Sequence, residues 1–330
     1  MCVYNGDEYL KEAIRSVLDQ TFADFEFLIV NDASQDRSAD ILSAIRDPRV
    51  RIIDNETNIG LTKSLNKALR LAKGEFIARM DADDRCHRER FNEQVKFLED
   101  NPDIALCGTW VSYDENSHNE PGYPLMHEEI KAGTLSNNPF AHPSVMWRRE
   151  EFERQGLTYN EDFRTSQDFE LWSRAVHKVK TANIPKSLLF YRQHTGQISR
   201  ARAENQQNNA RKIKLSQLKY LGLSPDEKET TAHLCMVDGG FRTHQSAETV
   251  KDADEWMYKI ILANRQLGIY EERFLLELWK SRFFGTSMYS YDPAKWRILR
   301  NSWCVKLCKV SRREKLKARI KCFLGWKVKE

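Results

Sequence analysis

No stretch of the 330 residues approaches the 18 consecutive apolar side chains of a membrane-spanning helix. The N-terminus, MCVYNGDEYLKEAI, has neither the basic start nor the apolar middle of a secretory signal, so the expected location is the cytoplasm. Cysteine is sparse too. Seven residues (2, 86, 107, 235, 304, 308 and 322), odd in number and without a C-x-x-C pair, argue against a zinc site or a disulfide framework and read as reduced thiols. There is no internal repeat and no low-complexity segment.

What is present is enough to fold. With 41% hydrophobic and 11% aromatic residues, the chain can bury one large core or two ordinary ones. The formal charge of +4 hides an asymmetry: Lys295 to Glu330 holds 13 Lys/Arg against 2 Glu, a net of +11 that leaves −7 for the preceding 294 residues.

Apolar β-rich runs alternate with helical periodicities through the first half, which predicts strand–helix units on a largely parallel sheet. FEFLIV (25–30), RVRIID (49–54), EFIARM (75–80), IALCGTWVSYD (104–114), PSVMWRR (143–149) and SLLFYRQH (187–194) read as strands. Residues 7–20, 36–46, 61–73, 88–100 and 166–176 read as helices, the second with Ser34 as its N-cap and the acids Asp36 and Asp40 near its first turn. Past residue 200 the β signal stops, and 200–221, 226–236, 247–266 and 270–284 read as helices, with a boundary near 215–225. MCVYN offers only about three apolar residues for a first strand, so either the true start lies upstream or this edge of the sheet is short.

The densest chemistry lies in GEFIARMDADDRCHRERF, where Asp81, Asp83 and Asp84 fall within four positions behind an apolar run. Like charges this close cost energy unless something positive arrives. Carboxylates two residues apart at the carboxyl end of a strand can share a hard divalent cation, Mg²⁺ or Mn²⁺; they can equally cap and solvate the turn before the helix at 88–100.

The segments VYNGDEYLKEAIRSVLDQTFADFEFLIVNDASQDRSADIL and NETNIGLTKSLNKALRLAKGEFIARMDADD resemble the family 2 glycosyltransferases over roughly residues 1 to 200. The resemblance implies an α/β chain with the GT-A nucleotide-binding fold, a catalytic domain at 1–220 and a helical C-terminal extension at 221–330. It implies that Tyr4 packs on a nucleotide base, that Asp32 accepts a hydrogen bond from that base, and that Lys63 faces the diphosphate of a nucleotide-sugar donor, most simply a UDP-sugar. Asp81 would meet the ribose or the metal, and Asp83 would ligate the metal. In TSQDFELWSRA, Asp168 takes the place of the catalytic base, with Gln167 where the family has an acid and with Asp162 and Glu170 as competitors. His194 in YRQH is a candidate metal ligand, and His142 in FAHPSVMW a candidate acceptor-pocket residue; for either, a structural role is the alternative. The implied reaction is an inverting transfer to a hydroxyl of a glycan or lipid-linked acceptor in surface-polysaccharide assembly.

The basic tail mixes its cations with Trp296, Ile298, Leu299, Trp303, Val305, Leu307, Ile320, Phe323, Leu324 and Trp326. It suits peripheral attachment to an anionic membrane surface on the cytoplasmic face, or packing through its apolar side on the catalytic domain. No nucleic-acid motif accompanies the charge, so nucleic acid is not expected as a partner. Two other functions remain open. A sugar-nucleotide pyrophosphorylase would need a Gly-rich basic N-terminal loop, which VYNGDEYLKEA lacks. A degenerate transferase domain serving as a binding module is opposed by Asp32, Asp81, Asp83 and Asp168 occurring together.

Overall fold

The run FLIVN (β2, Phe27–Asn31) is apolar on both faces of the strand, and all five residues are buried, as in a strand covered from two sides. It is the centre of a three-stranded parallel sheet, between β1 (Cys2–Val3) and β3 (Val50–Asp54). The register pairs Val3 with Asn31 and Asn31 with Asp54, so the residues that follow each strand, Tyr4, Asp32 and Asn55, emerge at one edge. Strand β1 is two residues long, and the Met1 ammonium still donates to the Leu28 carbonyl at 2.9 Å. The computed structural model describes residues 1–113, 122–194, 203–238, 246–287 and 292–324.

Helices α1 (Asp7–Leu18), α2 (Ser38–Ser43) and α3 (Leu61–Leu71) follow β1, β2 and β3 in turn. Ser34 does not cap α2: its hydroxyl accepts from the Asn5 N–H at 3.1 Å. The Asp36 carboxylate accepts instead from the Ser38 and Asp7 N–H groups, both at 2.9 Å, and so ties down the first turns of two helices. A carboxylate has two acceptor oxygens and a charge, which the serine lacks.

The second sheet has five strands in the order β4 (Phe76–Ala78), β7 (Met146–Arg148), β6 (Ile104–Ser112), β8 (Lys180–Phe190), β5 (Arg85–Cys86). Only β6 and β8 run parallel; the other three pairings are antiparallel, so the expectation of a largely parallel sheet holds for the first three strands and gives way to mixed pairing after residue 75. Residue pattern marks a strand as buried but not the direction of its neighbour. Strand β8 begins seven residues before the predicted SLLFYRQH strand. Pro185 hides its start, and pairing with β6 skips around the proline, from Thr109 with Ile184 to Trp110 with Ser187. Residue 114, the end of another predicted strand, lies outside the described residues.

Helices α4 (Arg90–Asp100), α5 (His127–Gly133), α6 (Arg149–Arg154), α7 (Gln167–Ala175) and α8 (Ala203–Gln217) complete the first half, α5 and α6 lying where no helix is predicted. The chain divides into two units, Met1–Ile130 with Asn138–Ala210, and Lys131–Asn137 with Arg211–Glu330. The second unit is helical, with α9 (Glu227–Val237), α10 (Ala247–Leu267), α11 (Glu272–Ser287), α12 (Pro293–Asn301), α13 (Trp303–Leu307) and α14 (Arg312–Leu324) around Trp256, Trp279, Met257 and Ile260.

The basic tail is three helices rather than one amphipathic rod. Leu299, Val305 and Ala318 are buried in this helical core, with Ile298 and Leu307 packed against it. Asp254 on α10 fixes the start of α13, accepting from the Ser302 hydroxyl at 2.7 Å and from the Trp303 and Cys304 N–H groups at 3.0 Å. Residues 325–330, with Trp326, lie outside the described residues.

Candidate active site

Strand β4 ends at Ala78, and the next six residues, Arg79 to Asp84, cross from β4 to β5 with their side chains held from several sides. Arg90 on α4 is fully buried and donates to the Arg79 carbonyl at 2.7 Å, which pins the start of this segment. Its end is pinned by β8. The antiparallel register pairs Arg85 with Phe190, so the residues that follow Phe190 run alongside Asp84 and Asp83. The Arg192 N–H donates to Asp84 Oδ1 at 2.9 Å, and its guanidinium Nε donates to the Asp83 carbonyl at 2.8 Å. That guanidinium also pairs with Glu12 on α1 and lies 4.5 Å from the Tyr9 ring centroid.

Asp81, Asp83 and Asp84 can each point one oxygen to within 4.8 Å of the other two. Asp84 is 1% exposed, and its Oδ2 has no hydrogen-bond partner among the described residues. Burial first, then the charges of Asp81 and Asp83, push the Asp84 carboxyl up to about 8. Burial and the Asp81 charge also raise Asp83, against which His194 works from the other side, its Nε2 3.0 Å from Asp83 Oδ2. Three crowded carboxylates and an orphaned buried oxygen are a donor set that a hard divalent cation fits, because oxygen ligands in this number match Mg²⁺ or Mn²⁺ and the cation removes the repulsion. The alternative of a cap for the following helix does not hold: α4 starts at Arg90, with Glu89 as its N-cap.

Asp81 has a cation already. Arg79, 5% exposed, makes an ion pair with it. Burial alone would lower the Arg79 pKa, and the Asp81 carboxylate more than reverses this. The same guanidinium is close enough to lower the pKa of Asp168 and of His142. Arg79 thus pairs with the acidic turn, and its charge is felt at Asp168 on α7.

Asp168 stands in the first turn of α7, after Ser166, a non-glycine residue at φ 57°. Its Oδ2 accepts from the Asn138 amide at 2.7 Å. Burial raises its pKa above the usual carboxylate range, while the Phe169 N–H and Asn138 work to lower it. Of the competitors, Glu170 is engaged by Arg174 through two contacts of 2.8 Å and Asp162 is exposed.

Asp32 is 3% exposed and spoken for. Its Oδ1 accepts from the Asn55 amide at 2.7 Å and the Ile59 N–H at 2.9 Å, and its Oδ2 from the Gly60 N–H at 2.8 Å. The carboxylate therefore organises the 55–60 loop, leaving little capacity for a base. Tyr4 is 48% exposed at the same strand edge. Asn5 (φ 51°) and Ala33 (φ 58°) take left-handed backbone beside these two residues, so three of the four non-glycine residues with this conformation among the described residues adjoin or lie close to positions picked from the sequence. Lys63 is exposed on α3. His142 is not in an open cleft: it is buried, its Nε2 is 2.7 Å from the Tyr159 hydroxyl, its ring packs edge-on to Trp172, and burial holds its pKa well below the usual value.

Sequence reasoning passed over Arg79, Arg192, Glu12, Asn138 and the separate standing of Asp84. Arg79 was hidden inside an apolar strand pattern, where a charge that is neither capping nor exposed was itself a signal. Asn138 in LSNNPF carries no such mark.

Both the fold and the sequence have counterparts among known proteins. The solved structure of S. aureus TarS 1–349 in complex with UDP-GlcNAc superposes with a TM-score of 0.58 at 17% identity, over 87% of this chain and 89% of that one, and both have the GT-A fold. The family model for glycosyl transferase family 2 matches residues 1–157. An uncharacterised glycosyltransferase of Haemophilus influenzae is 31% identical over 233 residues, 67% of this chain and 72% of that protein. The amylovoran biosynthesis glycosyltransferase AmsE of Erwinia amylovora is 30% identical over 213 residues, 62% of this chain and 78% of that protein. The chain belongs to glycosyl transferase family 2 and is a glycosyltransferase.

Proposed function

We propose that this glycosyltransferase moves a sugar from a nucleotide sugar to an acceptor hydroxyl with inversion at the anomeric carbon, and that Asp168 is the general base. The observation that carries the reading is a carboxylate raised by burial and held by Asn138, within the field of the Arg79 charge that pairs with Asp81 in a second, crowded set of carboxylates. Asp168 takes the proton of the acceptor hydroxyl. The oxygen attacks the anomeric carbon, and the bond from that carbon to the diphosphate breaks with its electron pair leaving on the nucleoside diphosphate. Asp81, Asp83 and Asp84, with His194 beside Asp83, would hold Mg²⁺ or Mn²⁺, which when bound supplies the positive charge a diphosphate leaving group needs.

Tyr4 and the loop that Asp32 holds are the surface read as meeting the nucleotide base, with Lys63 on the diphosphate side. TarS, of the same fold, is seen with UDP-GlcNAc, which makes UDP-sugars the first donors to screen. A role in polysaccharide assembly is supported by AmsE, whose name assigns it to amylovoran biosynthesis. The acceptor is read as a glycan or lipid-linked glycan. Membrane attachment through 295–330 fits this acceptor; among the described residues no helix is long and apolar enough to cross a membrane.

The test is release of UDP from a panel of UDP-sugars with Mn²⁺, alongside calorimetry of UDP. Asp168→Asn should keep UDP affinity and lose turnover; turnover at the wild-type rate would reject the assignment of the base.

A further inference from the structure

Helix α14 has two unlike sides. Ala318 is fully buried and marks the inward one. At 100° per residue, Leu316 and Ile320 point the opposite way, and they are 55% and 37% exposed. Arg312, Lys315 and Arg319 flank this apolar ridge on one side, Arg313 and Lys317 on the other.

Beside the first flank is a cavity of about 300 Å³, bounded by α12, α13 and α14. Its floor is apolar, from the buried Leu299, Val305 and Ala318. Its charged lining is Arg300, Arg312, Lys315 and Arg319, with no acid. None of the four forms an ion pair with a described residue, whereas Glu314, the acid of the same helix, is already taken by Lys280 at 2.8 Å. Four exposed cations around a small apolar-floored cavity favour an anion over water alone, and the exposed leucine and isoleucine beside it favour a nonpolar medium.

We propose that this cavity binds the phosphate headgroup of an anionic membrane lipid, while Leu316 and Ile320 enter the acyl boundary. The inference rests on the reading of 295–330 as membrane-facing and gives that surface a site. A nucleic acid would satisfy the cations and leave the ridge in water; a bilayer satisfies both.

The experiment uses the full chain and vesicles of phosphatidylcholine with or without phosphatidylglycerol, read by co-sedimentation. The wild type should bind only the anionic vesicles. The variant R312Q/K315Q/R319Q should bind roughly 100-fold more weakly, from about 1 kcal/mol per charge at 1.4 kcal/mol per tenfold. The variant L316S/I320S should keep binding at low salt and lose it at high salt, because only the electrostatic part remains. Calorimetry of UDP on the same preparations should not change, which separates failure of this site from failure of the donor reading. Wild-type vesicle binding by the triple variant overturns the proposal, as does equal binding to neutral vesicles. Tighter binding to a short DNA duplex than to anionic vesicles, lost in the same triple variant, overturns the lipid assignment.

Discussion

The two units of this chain treat charge in opposite ways. In the second, the buried charges are matched from within: Asp254 accepts three hydrogen bonds, and the buried Lys214 donates to Asp238 at 2.9 Å and to the Val237 carbonyl at 3.1 Å. Its cavity-lining cations on α12 and α14, which make no ion pair with a described residue, lie on the outside. In the first unit carboxylates crowd within, where Asp84 Oδ2 has no donor among the described residues and burial, with the charge of Asp81, raises both Asp83 and Asp84. A buried charge that the protein itself satisfies is architecture, and one left unsatisfied costs stability that a ligand can return. By that criterion Asp254 is a cap, and Asp84 belongs with the proposed cation site.

The comparison breaks most visibly at Asp168. Asp168→Asn should lower kcat by roughly 10²–10⁴-fold, the usual share of base catalysis, with UDP affinity changed little. A loss confined to KM would make Asp168 a binding group.

Next in size is the carboxylate cluster. At 100 times its dissociation constant, Mn²⁺ should stabilise the wild type by about 2.7 kcal/mol in thermal unfolding and Asp84→Asn by much less. The same substitution should leave the metal-free protein more stable than the wild type at neutral pH, since folding then no longer requires a buried carboxyl either to take up a proton or to hold its charge beside Asp81 and Asp83. Equal Mn²⁺ stabilisation of both proteins would place the metal elsewhere.

A finer effect concerns pH. Asp168 acts as a base only when ionised, and burial raises its pKa, so kcat/KM should fall as pH drops through a value above the ordinary carboxylate range. Asn138 stabilises the ionised form, and Asn138→Ala should move that acid limb upward by about one pH unit, the worth of one charge-assisted hydrogen bond. An unmoved limb would mean that another group titrates.

The smallest effect is local. Ala33→Gly relieves a left-handed alanine at φ 58° and should stabilise the first unit by about 0.5–1 kcal/mol after the unfolded-state entropy of glycine is counted. Chemical denaturation measures it directly.

How much of this was legible in the sequence varies by residue. Asp81, Asp83 and Asp84 announce themselves by density, and FLIVN by its unbroken apolar run. The second sheet was harder: Pro185 hides the start of β8, and nothing in the pattern of EFIARM tells that its partner is β7, some seventy residues on, running the other way. Asp32 shows a different limit. Its motif marks it as important, but only the fold shows that it accepts from Asn55, Ile59 and Gly60. The basic tail could be read as one amphipathic surface because charge is visible in a sequence, while the inward turn of Leu299 and Val305 depends on α10 and α11, which the tail's own residues do not describe.

The bond from the Arg192 N–H to Asp84 spans 108 residues, and that span has a consequence for synthesis. At ribosomal rates of about 5–20 residues per second, the acidic turn leaves the ribosome roughly 5–20 s before the segment that braces it. During that interval Asp83 and Asp84 lack both Arg192 and His194. The turn therefore gains its bracing only late, after the chain through β8 has emerged and paired, so the order of translation keeps the half-made enzyme from assembling its acidic centre early.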